Sequence, residues 1–493
     1  MLDDFKFVNK TDTKAINWTA CTKCQGLGKQ KLRLRKKVRL EYQKALAEFE
    51  KSNKQGKAPI KPKANLTPCT NCSGTGLINT STIPIPDNER YPHVAIIGGG
   101  IGGTALAVAC MHRGIPFTLY ERDENFEARS QGYGLTLQQA SKAIQGLGIT
   151  SLDKGIISTR HVVHDTDGKI LGEWGMRKWL QTNEKKTNKR TNIHIARQSL
   201  RLALLQQLGD NENIKWGQKL IGFKETESNV LELKLEEGNG KLAIAKTDIL
   251  VGADGIRSTV RNMLIGEAKS PLRYLGCIVI LGICSLESLK KINTSLLDSE
   301  TVFQTANGNE RIYMMPYDAN SIMWQLSFPM SEEDAKELSS KGVKALKEEA
   351  CIRTQWHSPI PEIVSSTPET QISGYPVYDR TLLNSIYFEK AGSVTLIGDA
   401  AHPMSPFKGQ GANQALLDAI SLARTISKAC NHTNWKEKEV RKSILEEFEA
   451  EMIERSASKV KDSAAAAEFL HSEIALQEID EPRGKCLKRE NRS

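Results

Sequence analysis

The sequence contains no run of about 18 apolar residues, the length that a helix needs to cross a bilayer. Hydrophobic residues account for 39% of its 493 positions, and its first residues lack the basic segment and apolar core of a secretory signal. We therefore expect no transmembrane segment and a cytoplasmic location.

Acidic residues are few at the start of the chain. Residues 1–90 hold 18 lysines and arginines against 8 acids, a net charge of +10 that equals the formal charge of the whole chain. Residues 91–493 are therefore balanced. Because a chain of this length should form more than one domain, we expect a basic N-terminal unit attached to a neutral body.

A glycine-rich turn follows the first strongly apolar strand. Residues 94–103 read VAIIGGGIGG, which gives the pattern Gly98-x-Gly100-x-x-Gly103 before a helix of small residues. These glycines permit a tight turn and let the backbone approach a pyrophosphate at the helix N-terminus. Glu121 closes the next apolar strand about 20 residues later, where an acid can accept hydrogen bonds from ribose hydroxyls. The combination predicts a dinucleotide-binding unit.

Two later apolar strands each run into small residues and an aspartate. The first ends at Gly252-Ala-Asp254 and the second at Gly398-Asp399. An aspartate just beyond a strand, flanked by small residues, can reach a ligand hydroxyl or a phosphate-bound water. The second aspartate opens a long stretch, residues 398–419, which contains a further glycine-rich turn.

Taken together, residues 91–430 resemble the flavoprotein monooxygenases of the para-hydroxybenzoate hydroxylase type. In that family the segment of Asp254 lies near the pyrophosphate, Asp399 holds the ribityl chain of FAD, and the later glycine turn donates backbone N–H groups to the flavin. A nicotinamide dehydrogenase does not require this third segment, so the resemblance implies FAD. The implied fold is α/β, with a Rossmann-like FAD-binding domain, an inserted β-sheet substrate domain and a long C-terminal helix.

The resemblance is closest to the branch that contains the tetracycline-inactivating monooxygenases. It rests on YERD at residues 120–123, EAR at 127–129 and IARQSLR at 195–201. The chain departs from this branch at Thr136, where the branch tends to carry an acid. The resemblance implies cofactor contacts by Gly98, Gly100, Gly103, Glu121, Arg122, Arg129, Arg197, Asp254, Asp399, Pro406, Gly409, Gly411 and Asn413.

The chemistry of the family implies that NAD(P)H reduces FAD and that a flavin C4a-hydroperoxide then hydroxylates an aromatic or polyketide-like molecule. No second glycine fingerprint is present for the nicotinamide nucleotide, so we expect it to bind transiently. The catalytic residues are unknown, because the flavin carries the chemistry. Candidate pocket residues are Tyr313, Met314, Met315, Trp324 and Phe407.

Two other functions remain open at this point. A flavin-dependent halogenase shares the flavin domain, and Lys408 beside the glycine turn would suit one. The Trp-x-Trp-x-Ile-Pro segment of halogenases is absent from the sequence. The second alternative is a flavin-bound adaptor in which the N-terminal unit recognises a partner.

Two copies of the pattern CxxCxGxG lie in the first 90 residues, at 21–28 and 69–76. A CxxC turn can place two thiolates about a tetrahedral Zn²⁺, and the glycines let the backbone fold around the sulfurs. Cys21, Cys24, Cys69 and Cys72 would complete a closed and therefore structural site. The repeat resembles the zinc modules of DnaJ-type co-chaperones, which carry four copies. A thioredoxin-like redox pair is the alternative, but the βαβ setting that it needs is missing.

The segment between the two copies is basic. Residues 31–40 alternate apolar and basic side chains as a hairpin strand would, and residues 41–51 have helical spacing. We expect a surface that docks a protein, an acidic substrate carrier or nucleic acid, although a solvated basic face is the simpler interpretation. An acidic protein is favoured, because the segment has few aromatic residues for nucleic-acid bases.

The domain organisation follows from these motifs. We expect a zinc module at 1–83 and a linker at 84–90 that alone joins it to the monooxygenase body. The body spans 91–430, with FAD-binding parts at 91–160, 193–268 and 380–430 and a substrate sheet at 161–192 and 269–379. Residues 431–493 are expected to form a helix that bridges the two domains, and a tail.

Overall fold

The computed structural model describes most of the chain. The described residues are 17–32, 34–52, 59, 62, 65–128, 132–141, 143–177, 192–227, 230–430, 435–437 and 439–482. Within these ranges no helix combines the length and the apolar character that a membrane crossing requires. Arg129, one of the proposed FAD contacts, lies outside the described residues.

The N-terminal module contains two short antiparallel strand pairs and one helix. Its elements are β1 (Asn17–Ala20), β2 (Lys29–Lys31), α1 (Lys36–Lys51), β3 (Leu66–Pro68) and β4 (Leu77–Thr80). β1 pairs with β4 and β2 pairs with β3. The expected order of a strand or turn followed by a helix is present, but β2 ends at Lys31 and the helix begins at Lys36 instead of residue 41. The partner strand β3 has only three residues, so β2 cannot pair beyond Lys31. The residues that follow form a helix, as the helical spacing of their apolar side chains favours.

A five-stranded parallel sheet forms the centre of the flavin domain. Its spatial order is β12 (Ile214–Lys215), β6 (Phe117–Tyr120), β5 (Val94–Ile97), β16 (Ile249–Gly252) and β22 (Val394–Leu396). The helices α2 (Ile101–Met111), α3 (Arg197–Leu208) and α8 (Gly411–Cys430) belong to the same core. The apolar strands are buried on both faces, as parallel strands usually are. The predicted Rossmann-like fold class is confirmed.

A second, seven-stranded sheet lies over the flavin domain. Its spatial order is β10 (Ile170–Trp174), β9 (Arg160–His164), β18 (Thr301–Ala306), β19 (Arg311–Asp318), β20 (Ser321–Pro329), β17 (Leu272–Ser285) and β21 (Ile372–Arg380). One face of this sheet packs against α5 (Glu332–Ser340), α6 (Val343–Arg353) and α7 (Ile360–Ser366). The other face forms a separate apolar cluster that looks toward the flavin domain.

Two small sheets and two further helices complete the body. The first sheet has the order β7 (Gly134–Leu137), β11 (Ile193–Ala196) and β8 (Ile156–Ile157). The second has the order β13 (Gln218–Glu225), β14 (Leu231–Glu237) and β15 (Leu242–Thr247). The helices are α4 (Thr259–Ile265) and α9 (Glu446–Phe469). Phe448 and Met452 of α9 pack in the flavin-domain core, whereas Ala467 packs against the second sheet. This helix therefore joins the two halves, as the sequence led us to expect.

The N-terminal module packs directly on the flavin domain. The indole of Trp18 lies so close to Gly148 that a Cβ atom there would stand 2.5 Å from Cδ1 of the ring. Arg113 and Arg424 of the flavin domain donate hydrogen bonds to backbone carbonyls of the module. The expectation that only the linker joins the two units is therefore wrong. The sequence did not reveal these contacts, because isolated polar and glycine contacts leave no pattern in it.

Candidate functional site

The glycine turn after β5 contains two glycines that backbone packing requires and one glycine that faces a cavity. A Cβ at Gly103 would stand 1.9 Å from the carbonyl oxygen of Gly98, and a Cβ at Gly98 would stand 2.6 Å from that of Ala253. Both positions therefore need glycine for close backbone packing. Gly100, the N-cap residue of α2, lines a cavity between the flavin domain and the seven-stranded sheet. A pyrophosphate would meet the helix N-terminus at this point.

Glu121 stabilises this turn at the end of β6. Its carboxylate accepts hydrogen bonds from the backbone N–H groups of Gly99, at 2.7 Å, and Asp123, at 3.1 Å. Nε of Arg201 donates to the carbonyl oxygen of Gly99 at 2.7 Å, and its guanidinium lies over the rings of Phe126 and Trp216. Sequence reasoning used Arg201 only as part of a motif and missed its role in the turn.

One cavity of about 680 Å³ lies between the flavin domain and the seven-stranded sheet. It brings together residues from all three motif regions and from the start of α3. The proposed cofactor residues that line it are Gly100, Arg197, Asp399, Pro406, Gly409 and Gly411. Arg197 stacks its guanidinium over the ring of Tyr133, with 5.7 Å between the carbon Cζ and the ring centre.

Asp399 faces this cavity beside Arg197. Removal from bulk water raises the pKa of the Asp399 carboxyl, while the positive charge of Arg197 acts in the opposite direction. The strand end is held by Asp418, whose carboxylate accepts hydrogen bonds from the backbone N–H of Gly398 at 2.8 Å and from Arg455 at 2.7 Å. A buried ion pair thus fixes the backbone that presents Asp399.

Two of the proposed cofactor residues are engaged elsewhere. The carboxylate of Asp254 accepts hydrogen bonds from Ser258 and from the backbone N–H of Thr259, so it caps the start of α4. Asn413 is fully buried. Its amide accepts from the N–H of Gln138 and donates to the carbonyl oxygen of Gly409, each at 2.8 Å. Neither residue lines the cavity, so the structure gives them supporting roles.

Arg122 is exposed at the edge of the flavin domain. It is absent from the cavity lining, as are Glu121, Gly98 and Gly103. Glu121 and the two glycines nevertheless shape the turn that presents Gly100. The structure gives no comparable role to Arg122.

Strand alternation divides the candidate pocket residues into two groups. Tyr313 and Met315 of β19 and Met323 and Gln325 of β20 line the cavity. Trp324 points to the opposite face, where it is fully buried and its Nε1–H donates to Thr367 Oγ1 at 2.8 Å. Trp324 is therefore not a pocket residue, because successive strand residues face opposite sides of a sheet.

Met314 shares the buried face of Trp324, behind the sheet. Phe407, which precedes the glycine turn at Gly409, lines the cavity with Tyr313. Phe407 also packs edge-on against the ring of His471, with 5.5 Å between ring centres. The aromatic wall of the cavity is thus built from β19 and from the flavin turn.

A buried arginine lies in the cavity wall next to Tyr313. Arg311 is only 5% exposed, its Nε donates to Gln304 Oε1 at 2.8 Å, and its guanidinium lies 4.9 Å from the centre of the Tyr313 ring. Burial lowers its pKa to about 10, so it remains charged at neutral pH. No ion pair between Arg311 and a carboxylate occurs within the described residues. A single arginine at a strand start carries no sequence signal, and we had not anticipated it.

A chain of hydrogen bonds along the cavity wall contains two histidines. Thr136 Oγ1 lies 3.1 Å from Nδ1 of His194, and Nε2 of His194 lies 2.8 Å from Ser158 Oγ. Ser158 Oγ in turn lies 3.2 Å from Nε2 of His161. The ring of His161 is stacked on that of Trp174.

Both histidines are held in the neutral form. Burial lowers the pKa of His194 to about 3 and that of His161 to about 4. A neutral imidazole bonded through both nitrogens can accept a proton on one side and release one on the other. Because neither imidazole readily holds a positive charge, this chain could relay a proton only by a concerted shift along its hydrogen bonds. Sequence reasoning identified no such group.

The four cysteines of the N-terminal module form a second candidate site. Their sulfur atoms all lie within 4.8 Å of one another, and the four residues are buried. The sulfurs of Cys24 and Cys72 are 3.7 Å apart. Tetrahedral zinc with Zn–S bonds of about 2.3 Å requires sulfur–sulfur distances of about 3.8 Å. The donor set and its spacing fit one Zn²⁺ ion.

The backbone around these sulfurs has approximate two-fold symmetry. The N–H of Cys21 donates to the carbonyl oxygen of Gly76 at 2.8 Å, and the N–H of Cys69 donates to that of Gly28 at 2.9 Å. The N–H groups of Gly28 and Gly76 also donate to the sulfurs of Cys24 and Cys72, each at 3.2 Å. In metal sites, hydrogen bonds of this kind from backbone N–H groups to the ligand sulfurs stabilise the thiolates.

Comparison with known proteins identifies relatives of the body. The family described as FAD binding domain matches residues 91–438. The aurachin C monooxygenase/isomerase of Stigmatella aurantiaca is 31% identical over 340 residues, which cover 68% of this chain and 80% of that protein. The 3-amino-4-hydroxybenzoate 2-monooxygenase PtnB3 of Streptomyces platensis is 27% identical over 69% of this chain and 81% of that protein.

A solved structure shares the same fold. The tetracycline destructase Tet(51) has a TM-score of 0.54 and 21% sequence identity, covering 80% of this chain and 96% of that one. The family match begins at residue 91, so the cysteine module lies outside it.

Proposed function

Because this chain belongs to the FAD-binding-domain family and is a flavoprotein monooxygenase, we propose that it hydroxylates an aromatic small molecule with an acidic group, using NAD(P)H and O₂. The observation that carries the proposal is the single cavity in which the flavin-domain residues Gly100, Asp399 and Gly411 stand opposite Tyr313 and Arg311. The flavin would occupy the first side of this space, and the substrate the second.

An aromatic acid suits the wall of the cavity that faces the flavin turn. The rings of Tyr313 and Phe407 provide apolar area for a planar molecule, and Gln325 provides a hydrogen-bonding group. Arg311 supplies a buried positive charge that a carboxylate or phenolate could neutralise. Names of relatives agree with such a class, since one acts on an aminohydroxybenzoate.

The residues of the chain then have distinct tasks. FAD, when bound, supplies the activation of O₂ and the transfer of one oxygen atom to the substrate. Arg197 and Asp399 would hold the cofactor, and Arg311 would orient the acidic substrate. Thr136 would hydrogen-bond a phenolic hydroxyl of the substrate, and the neutral His194 would hold the Thr136 hydroxyl in place. The two opposed walls of the cavity would exclude water from the reacting atoms.

A panel of aromatic compounds tests this function. NAD(P)H oxidation should accelerate when a hydroxylated aromatic acid is added, and mass spectrometry should find one added oxygen atom in the product. Arg311→Gln should raise KM for such an acid roughly 10- to 150-fold with a smaller change in kcat, because a hydrogen bond to a charged group contributes about 1.5–3 kcal/mol. Lys336→Gln, on the exposed side of α5, is the matched control and should leave KM unchanged.

Two outcomes of that panel would contradict the proposal. If FAD is bound but no compound accelerates NAD(P)H oxidation, the chain is better explained as a flavin-bound adaptor. If product formation requires halide, the enzyme is a halogenase. Lys408 is the residue that would suit a halogenase, and its ammonium group lies 4.8 Å from the centre of the Phe469 ring. In the halogenase case, Lys408→Ala should abolish turnover.

We also infer that the four-cysteine centre binds one structural Zn²⁺ ion. The support is the closed set of four buried sulfurs, which leaves no position for a substrate or water. The symmetric N–H donors are consistent with metal-bound thiolates. A redox-active pair would instead need one accessible sulfur.

The helix α1 is proposed to dock an acidic protein segment. None of its side chains is buried, and it lies in the stretch that carries the whole excess positive charge. Full-length protein should bind a labelled polyglutamate peptide at low salt and release it at high salt. Replacing Lys36, Lys37 and Arg39 by glutamate should abolish binding, whereas Lys428→Gln on α8 should not. Tighter binding of single-stranded RNA than of the peptide would overturn this proposal.

A further inference from the structure

Two arginines, the buried Arg113 and the partly buried Arg424, connect the cysteine centre to the flavin domain. Nη2 of Arg113 donates to the carbonyl oxygen of Gly26 at 3.2 Å, and Nη2 of Arg424 donates to that of Thr75 at 2.8 Å. Gly26 and Thr75 belong to the two CxxCxGxG turns. Arg424 also lies close to the last glycine of each turn. A Cβ atom built at Gly28 would stand 2.8 Å from its Nη2, and one built at Gly76 would stand 3.2 Å from it.

These arginines have no carboxylate partner within the described ranges of the chain. Nε of Arg113 and Nε of Arg424 are buried without a hydrogen-bond partner there. Withdrawing the guanidinium of Arg113 and the Nε of Arg424 from water without a neighbouring anion is costly. A zinc ion with four thiolates carries a net charge of about −2, which would balance them.

The two arginines lie on the elements that build the flavin cavity. Arg113 follows α2, whose first turn carries Gly100, and Arg424 lies on α8, which begins at Gly411 of the flavin turn. From Gly411 to Arg424 the helix spans about 20 Å. The helices pack against each other in the same core. Each therefore reaches the cofactor cavity at its N-terminus and the cysteine module near its C-terminus.

We propose that Arg113 and Arg424 are the counter-charges of a zinc–thiolate centre and that they couple zinc occupancy to FAD binding. The inference rests on the zinc site proposed above. In the zinc-bound protein the negative centre holds both guanidinium groups, and through them the relative position of α2 and α8. Loss of the ion leaves these two guanidinium groups without a counter-charge, which loosens the helix pair that presents Gly100 and Gly411.

The test measures zinc release from full-length protein with a chromogenic chelator, in the presence and absence of FAD. Metal analysis of the wild-type protein comes first, and a value near zero would refute the zinc site itself. With zinc present, Arg424→Gln and Arg113→Gln should each release zinc about tenfold faster or more. Lys428→Gln, one turn further along α8 in an exposed pair with Glu447, should match the wild type. Arg424→Lys should release zinc more slowly than Arg424→Gln.

Coupling has its own readout in the wild-type protein, which does not depend on the folding of any variant. Binding energies between two sites are reciprocal, so FAD should slow zinc release, and zinc removal should weaken FAD binding as measured by flavin fluorescence. Hydrogen exchange should rise at residues 105–115 and 418–428 after chelation. Equal zinc release with and without FAD, or equal release from Arg424→Gln and Lys428→Gln, would overturn the proposal.

Discussion

Asp399→Ala is expected to yield a folded protein that purifies without its yellow colour. The Asp399 side chain faces the cavity, and its backbone is already held by Asp418. Removing the carboxylate should therefore cost ligand contacts and little stability. Loss of a charged hydrogen-bond acceptor costs about 1.5–3 kcal/mol, so FAD should dissociate roughly 10- to 150-fold more readily in fluorescence titrations.

Two companion variants make the Asp399 result specific. Asp399→Asn keeps an acceptor oxygen and should retain more FAD than Asp399→Ala. Asp462→Ala, at an exposed position of α9, should bind FAD as the wild type does. Wild-type protein that stays colourless after reconstitution with FAD would contradict the cofactor assignment, and equal FAD affinity of Asp399→Ala and wild type would remove Asp399 from the site.

Cys69→Ser is expected to abolish zinc binding and to unfold the N-terminal module. The buried apolar cluster of this module consists of the four cysteines with Ile78 packed against them, so the module would depend on a metal at these sulfurs in place of a hydrophobic core. Structural zinc contributes roughly 10–16 kcal/mol of apparent binding energy to such modules. Metal analysis should fall from one zinc per chain to none, and hydrogen exchange should become fast at residues 17–31 and 66–80.

The flavin domain should remain folded in Cys69→Ser, because it has a large core of its own. FAD affinity should nevertheless decrease, through the contacts of Arg113 and Arg424. Cys351→Ser is the matched control, since Cys351 is free, only partly buried and remote from the cluster. A module that keeps its exchange protection after zinc is removed would show that the metal does not stabilise it.

The sequence was most informative where function depends on local backbone geometry. Gly98 and Gly103 need glycine because backbone atoms approach them closely, and this requirement is visible as a motif. The same holds for the glycines of the two CxxCxGxG copies. Trp324 could have been placed correctly as well, because it alternates with Met323 and Gln325 along one strand.

Other parts of the site could not be predicted, because they depend on long-range contacts. Arg311 and His194 come from different sheets and meet in the cavity only through the packing of those sheets. The local hydrogen bonds of Asp254 and Asn413 could not be predicted for a related reason. Each side chain accepts from a backbone N–H group, of Thr259 in α4 and of Gln138 just after β7, and the sequence does not show these contacts.

The contacts of Arg113 and Arg424 with the N-terminal module determine where this chain can be truncated. Similarity to the FAD-binding family begins at residue 91, and a chain cut there would look complete by that criterion. Such a cut would expose the buried Arg113 and the partly buried Arg424, and it would remove the indole of Trp18 from its contact with Gly148. The family boundary is thus not a folding boundary, and the catalytic body should be expressed together with its first 90 residues.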